Sequence, residues 1–268
     1  MFYSFYLHFL AAFASLAMTA SAVDCTREEL LAVADSYLAA QIAGKPSTLK
    51  LAPTNFTYQQ NNKISDITKG LLSTPFKMDL NRSTADTVAC ASYTNWISTS
   101  GATPYVVSTQ IRHANNDTST ISTIDTVSAT TGDLFFDATK TLAYIRNETW
   151  TALPSSSQPS RTLLKAVGDA YLDMWTNATA ADSIPWGPQC ERVEGSSYTN
   201  PCGGALPHGG SKKVNGMRRY VIDEVTGSVD VLCQFDSLAA WPDSHEIRVE
   251  GGKVRYVHTV TVMRGVGA

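Results

Sequence analysis

The sequence predicts an α+β protein made of two similar halves, each a helix followed by a curved antiparallel sheet. Two observations carry this. Arg27–Leu38 (REELLAVADSYL) and Arg161–Leu172 (RTLLKAVGDAYL) share Arg, Leu, Ala, Val, Asp, Tyr and Leu in register, the mark of an internal duplication. After each motif the hydrophobic period shortens from helical to alternating, with turn residues between the runs. Helices first and hairpins afterwards imply helices packed on one face of a sheet.

Residues 1–22 open on Phe2, Tyr3, Phe5 and Tyr6, run apolar to Met18 and close on Ala20-Ser21-Ala22. That is the pattern of a secretory signal peptide with a small-x-small cleavage site, although its start carries no Lys or Arg; an uncleaved anchor is the alternative. Residues 23–153 form the first expected domain. Its helix places Leu30, Val33, Tyr37 and Leu38 on one stripe, and Tyr105–His113 and Ile121–Val127 form a hairpin around Asn115-Asn116-Asp117. The Pro/Ser stretch 154–159 reads as a linker, and 160–268 as the second domain. There the helix stripe is Leu164, Val167, Tyr171 and Leu172. Hairpins are expected over Arg218–Phe235, turned near Thr226-Gly227, and over His245–Met263, turned by Gly251-Gly252. Between them and the helix, residues 185–216 are dense in Gly and Pro and read as a long lid or binding loop.

Secretion fits the remaining composition. Asn55, Asn81, Asn116, Asn147 and Asn177 each head an N-x-Ser/Thr sequon, so they are the expected glycosylation sites. Five cysteines enter an oxidising compartment. The expected bridges are Cys25 with Cys90 and Cys190 with Cys202, because each pair stays within one half. That leaves Cys233, which alternates with apolar residues as a buried strand thiol would. A net charge of −3 offers no basic surface for nucleic acid. No stretch after the leader is long and apolar enough to span a bilayer, and a homodimer is compatible with the pattern.

Pairing Glu250 with Lys253 across the Gly251-Gly252 turn sets His245 opposite His258, Ile247 opposite Tyr256 and Arg248 opposite Arg255. In that register His245, His258 and Tyr256 share the apolar inner face, while Glu246, Arg248, Glu250, Lys253 and Arg255 face solvent. Two imidazoles and a phenol in an apolar hollow can protonate a leaving hydroxyl or polarise a carbonyl, or equally be hydrogen-bonded core residues. They form no recognisable metal set, since a third ligand at a fixed spacing is lacking. Tyr220 is expected to point inward and Arg219 outward. Arg218, Arg219 and Trp186 complete the candidate binding residues, with a structural ion pair for Arg219 and a loop anchor for Trp186 as the alternatives. There is no Gly-x-Ser-x-Gly, phosphate loop, His-Glu-x-x-His or dinucleotide fingerprint, and no cofactor is called for.

The segments Ile184–Gly195 (IPWGPQCERVEG), Arg218–Glu224 (RRYVIDE), Pro242–His245 (PDSH) and Gly252–Thr259 (GKVRYVHT) resemble a family of secreted fungal proteins long filed as a domain of unknown function. The likeness runs over the whole mature chain, and the two halves resemble NTF2-like (SnoaL-like) folds, which form a cone around an apolar pocket. That group includes glycosylated hetero-Diels-Alderases, which join a tropolone-derived quinone methide to humulene in tropolone sesquiterpenoid biosynthesis. The resemblance makes a cofactor-free pericyclase or dehydratase-cyclase acting on a hydrophobic small molecule the first expectation, and the hairpin pattern, not the resemblance, gives His245 or His258 the role of assisting loss of water. A non-catalytic secreted binder of an apolar small molecule is the second expectation.

Overall fold

Capping signals set the helix ends. The computed structural model describes Met1 and residues 25–263, so the expected signal peptide, Met1 apart, lies outside the described residues. Helix α1 (Arg27–Ala43) begins at Thr26, whose hydroxyl accepts from Glu29 N while Glu29 reaches back to Thr26 N, a reciprocal capping box. It ends at Gly44, whose φ of +62° and close approach to Pro75 leave no room for a Cβ. Helix α2 (Ala138–Ile145) is capped by Asp137, and α3 (Arg161–Asp173) by Ser160.

Strands β1 (Thr57–Gln60), β2 (Lys63–Ile64), β3 (Leu80–Asp86), β4 (Ala91–Ser98), β5 (Tyr105–Arg112) and β6 (Thr123–Thr130) form one sheet, in the order β2-β1-β6-β5-β4-β3. Strands β7 (Trp186–Glu194), β8 (Ser197–Thr199), β9 (Gly216–Asp223), β10 (Ser228–Phe235), β11 (Trp241–Glu250) and β12 (Lys253–Thr261) form the other, in the order β8-β7-β12-β11-β10-β9. The two orders are the same topology repeated. The chain is thus an α+β fold of two curved sheets, each carrying a helix. The sheets are mixed rather than purely antiparallel, because β1 runs parallel to β6 and β7 parallel to β12.

Each sheet has an inner face under its helix. Tyr37 and Leu38 of α1 pack on Trp96, Val107, Ile111 and Ile124. Leu164, Val167 and Tyr171 of α3 pack on Val229, Val231 and Ile247. Gly168 lets α3 close on the sheet, since a Cβ there would meet Val231 at 3.0 Å. The outer faces of the two sheets meet each other, where Ile97, Val106 and Val127 of the first share a cluster with Val193, Leu232 and Val260 of the second.

Residues 185–216 are not one loop. Trp186–Glu194 and Ser197–Thr199 are strands, and only the stretch beyond Thr199 is irregular. Gly187 and Pro188 interrupt the alternation that would have revealed β7. The bridges Cys25–Cys90 and Cys190–Cys202 are both formed, and Cys233 is free and buried.

The edge strands β3 and β9 meet through reciprocal ion pairs. Arg161 of α3 grips Asp86 with both terminal nitrogens, at 2.7 and 2.8 Å, and Asp86 also accepts from Ile222 N at 2.8 Å. Arg27 of α1 contacts Asp223 at 2.6 Å, and Asp223 accepts from Ala85 N at 3.1 Å. Each half thus supplies the arginine for the other's buried carboxylate, and both aspartates are fully enclosed. Removing either aspartate leaves a partly exposed guanidinium without its partner and buried backbone amides unanswered. Asp86→Ala and Asp223→Ala are each expected to lower unfolding free energy by about 3 to 5 kcal/mol in denaturant titration, whereas Lys140→Ala on the surface should change it by less than about 0.5 kcal/mol.

Candidate functional site

A single extra residue puts the two histidines on opposite faces instead of the shared face expected. Glu250 pairs with Lys253 and Val249 with Val254, but Arg248 pairs with Tyr256, so Arg255 is a bulge in β12. Beyond it His258 lies opposite Glu246, and His245 opposite Thr259. One inserted residue inverts the alternation of everything that follows. His245 therefore stays on the inner face, and His258 and Tyr256 move to the outer one. The expected solvent face is corrected with it, because Glu246 and Arg248 are each only 1% exposed, enclosed between the halves.

His258 stands at the centre of a buried charged cluster. Its Nδ1 is 3.1 Å from Glu246 Oε2 and its Nε2 is 2.9 Å from Glu148 Oε1. Arg82, from the first sheet, pairs with Glu246 and lies 3.6 Å over the ring of Trp150. Trp150 stacks on Tyr256 at 5.7 Å and donates to Glu148 at 2.8 Å. The strap between the halves that carries Glu148 and Trp150 is pinned by Arg248, which donates to the carbonyls of Thr149 and Thr151. Burial opposes a charge on His258, but the two glutamates outweigh it and raise its pKa to about 9. An imidazolium that donates from both nitrogens is what this pair of acceptors requires.

The other candidates are distributed. His245 sits between Tyr171 and Phe235, with ring centroids at 5.3 and 5.4 Å. Its Nε2 is 3.3 Å from Asp243, yet neither ring nitrogen has a well-aligned hydrogen bond. Arg218 pairs with Asp169 and Asp173 of α3 at 3.1 and 2.5 Å, and Tyr220 donates to Asp169 at 2.5 Å. Arg219 crosses to the first half, contacting Asp125 at 2.5 Å and Asn62 at 2.7 Å. Trp186 packs on the second core and donates to Ala181 O at 3.1 Å. Burial, and secondarily Asp243, push the Cys233 thiol well up, which keeps it protonated and unreactive.

The open space lies elsewhere, in a cleft of about 1190 Å³. One wall is the β1–β2 hairpin, turned by Asn61-Asn62 with φ of 53° and 59°, the left-handed pair a two-residue turn needs. Leu71, Pro75, Phe76 and Tyr105 supply an apolar surface, and Phe76 packs edge-on against Tyr105 at 5.2 Å. Pro242 and Gln234 close the cleft from the second half. Asn62 ties the two sides together, donating to Cys233 O at 2.9 Å while accepting from Arg219. None of His245, His258, Tyr256, Tyr220, Trp186, Arg218 and Arg219 lines it. The cleft residues come from stretches without clear periodicity, and only the Asn61-Asn62 turn signal could have marked one of its walls.

Residues 157–261 match the family model described as Domain of unknown function (DUF8021), a span that takes in α3 and the whole second sheet. No curated protein and no solved structure matches the chain significantly. Among the described residues, no helix is long and apolar enough to cross a membrane.

The raised pKa of His258 makes stability depend on pH. The folded state holds the proton more tightly than an unfolded chain with a pKa near 6.5, so the contribution is complete below about pH 6.5 and lost as pH rises through about 9. Denaturant midpoints should fall between pH 6.5 and 9, and His258→Gln should flatten that slope while lowering stability at pH 6. An unchanged slope in the variant would mean that His258 is not the titrating group.

Proposed function

We propose that this protein is a secreted, N-glycosylated binder of an apolar small molecule, which it takes into the cleft between the β1–β2 hairpin and the β10–β11 turn. The observation that carries this reading is the cleft itself. Its volume of about 1190 Å³ suits a ligand of a few rings, and Phe76, Tyr105, Leu71 and Pro75 present apolar surface to it. The two halves are read as NTF2-like cones. In both, a helix and its core occupy the inner face, so the ligand is placed in the open cleft at the edge of the first, where the second half supplies the facing wall. Secretion is supported by the leader pattern, by two disulfides, and by the exposure of all five sequon asparagines, Asn55, Asn81, Asn116, Asn147 and Asn177.

A second reading, a cofactor-free hetero-Diels-Alderase joining a tropolone quinone methide to an alkene such as humulene, rests on the resemblance of the second-half motifs, which fall within the 157–261 match to a domain of unknown function. A cycloaddition needs two partners held in orientation, water excluded, and a hydrogen bond to the electron-poor partner. The cleft offers room for two partners and hydrogen-bond donors without the histidines, so this reading assigns the reaction to the cleft and His258 to the interface.

The neutral fluorophore N-phenyl-1-naphthylamine should bind saturably, and Ala102→Trp, at the exposed rim, should weaken it at least about tenfold without lowering the melting temperature. Binding unaffected by that variant would reject the cleft. Incubation with a hydroxymethyl tropolone and humulene then separates the readings. Adduct formed above the buffer rate and lost in Ala102→Trp supports the pericyclase, and adduct at the buffer rate leaves the binder alone.

A further inference from the structure

The cleft carries more than apolar surface. Lys63, Lys69 and Lys77 line it against a single carboxylate, Asp66, in a chain whose net charge is −3. Lys69 lies 3.5 Å from Asp66, and Lys77 lies 4.0 Å from Asp79. Their side chains are 82% and 79% exposed, so these are loose, solvated pairs that hold neither ammonium in place. Asp66 is occupied on its own loop, accepting from Thr68 N at 2.9 Å and from the Thr68 hydroxyl at 2.7 Å.

The amides add to the same bias. Gln60 spends its carbonyl oxygen on the Tyr58 hydroxyl and on Leu71 N, each at 3.0 Å. Asn61 spends its own on Ser128 N at 2.9 Å. With both oxygens engaged, the Gln60 Nε2 and Asn61 Nδ2 donors have no protein acceptor among the described residues. The β1–β2 side of the cleft is therefore rich in donors and positive, and the apolar part beside it is aromatic; on the facing wall Gln234 is turned the other way, its amide donating to Asp236 at 2.7 Å. A ligand presenting anionic oxygens on the β1–β2 side meets both ammonium and amide groups there.

From this we infer that the ligand of the cleft is an apolar organic acid, bound as its anion, with its ring or chain against Phe76 and Tyr105 and its charged oxygens toward Gln60, Asn61, Lys69 and Lys77. The inference rests on the cleft being a binding site and adds the chemical class of the occupant. Lys69 and Lys77 act as charges at the rim, and the amides as the directional donors.

The matched pair 2-naphthoate and methyl 2-naphthoate tests it by calorimetric titration of the full chain at low salt. The acid is expected to bind about tenfold more tightly than the ester, and the ratio should shrink in 0.5 M salt, at about the screening expected of exposed charges. Lys69→Gln combined with Lys77→Gln should reduce the ratio to about two- to threefold, and both substitutions lie at exposed positions where folding is not at stake. Ala102→Trp should weaken both compounds. An ester that binds as tightly as the acid in the unmodified protein overturns the acid class and leaves the cleft standing as an apolar site. If neither compound binds, and N-phenyl-1-naphthylamine does not bind either, the cleft reading falls together with the inference.

Discussion

The arrangement of this molecule depends on charged groups that are buried between its two sheets and are satisfied only when the halves are docked. Asp86 and Asp223 are enclosed and each takes its arginine from the opposite half. Asp230, also fully buried, adds a hydrogen bond rather than a charge pair to the seam: it contacts Gln110 of the first sheet at 2.6 Å, and burial, which disfavours its charge, raises its pKa well above the usual carboxylate range. Arg82 and Arg219, at matching places on matching edge strands, both reach across, to Glu246 and Asp125. A separated half would expose these charges to water but would also strip each of its partner, while the apolar residues around them would lose their cover. The seam is thus weak as an argument for added stability and strong as one for a single docking geometry, since a shifted register would leave buried charges unpaired.

The same seam shapes the cleft. Arg219 holds both Asp125 and Asn62, and Asn62 in turn reaches the Cys233 carbonyl of the second sheet. The β1–β2 hairpin that walls the cleft is therefore tied to the second half by the docking residues themselves. On the facing side, Ala239 and Ala240 hold φ values of 57° and 59° in the turn that leads to Pro242, a conformation that non-glycine residues adopt only when the surroundings impose it. The β10–β11 turn of one half thus becomes a wall of the cleft that opens on the other.

Much of this architecture was legible from local chemistry. The recurring helix motif and the hairpins closed by Thr226-Gly227 and Gly251-Gly252 are encoded by short-range rules. What escaped was long-range. β12 is apolar at Val257 on one face and at Val260 on the other, because both faces of that strand are buried, so polarity could not say which face was inner. The bulge at Arg255 left no glycine or proline to announce it. Glu246 and Arg248 read as solvent residues because nothing local shows that a second sheet covers them. Glu148 and Trp150, the strap residues of the His258 cluster, lie in a stretch with no periodicity at all. The cleft is assembled from three turns distant in sequence, and only the Asn61-Asn62 pair carries a recognisable signal.

If the charged seam governs the fold, the two sheets cannot open independently. Native-state hydrogen exchange across a range of sub-denaturing guanidinium concentrations measures this directly, with β4 and β5 reporting on one sheet and β10 and β11 on the other. The slowest amides of both sheets should converge on a single opening free energy with the same denaturant dependence. A lower free energy for one sheet, reached while the other remains protected, would contradict the central role given to the seam.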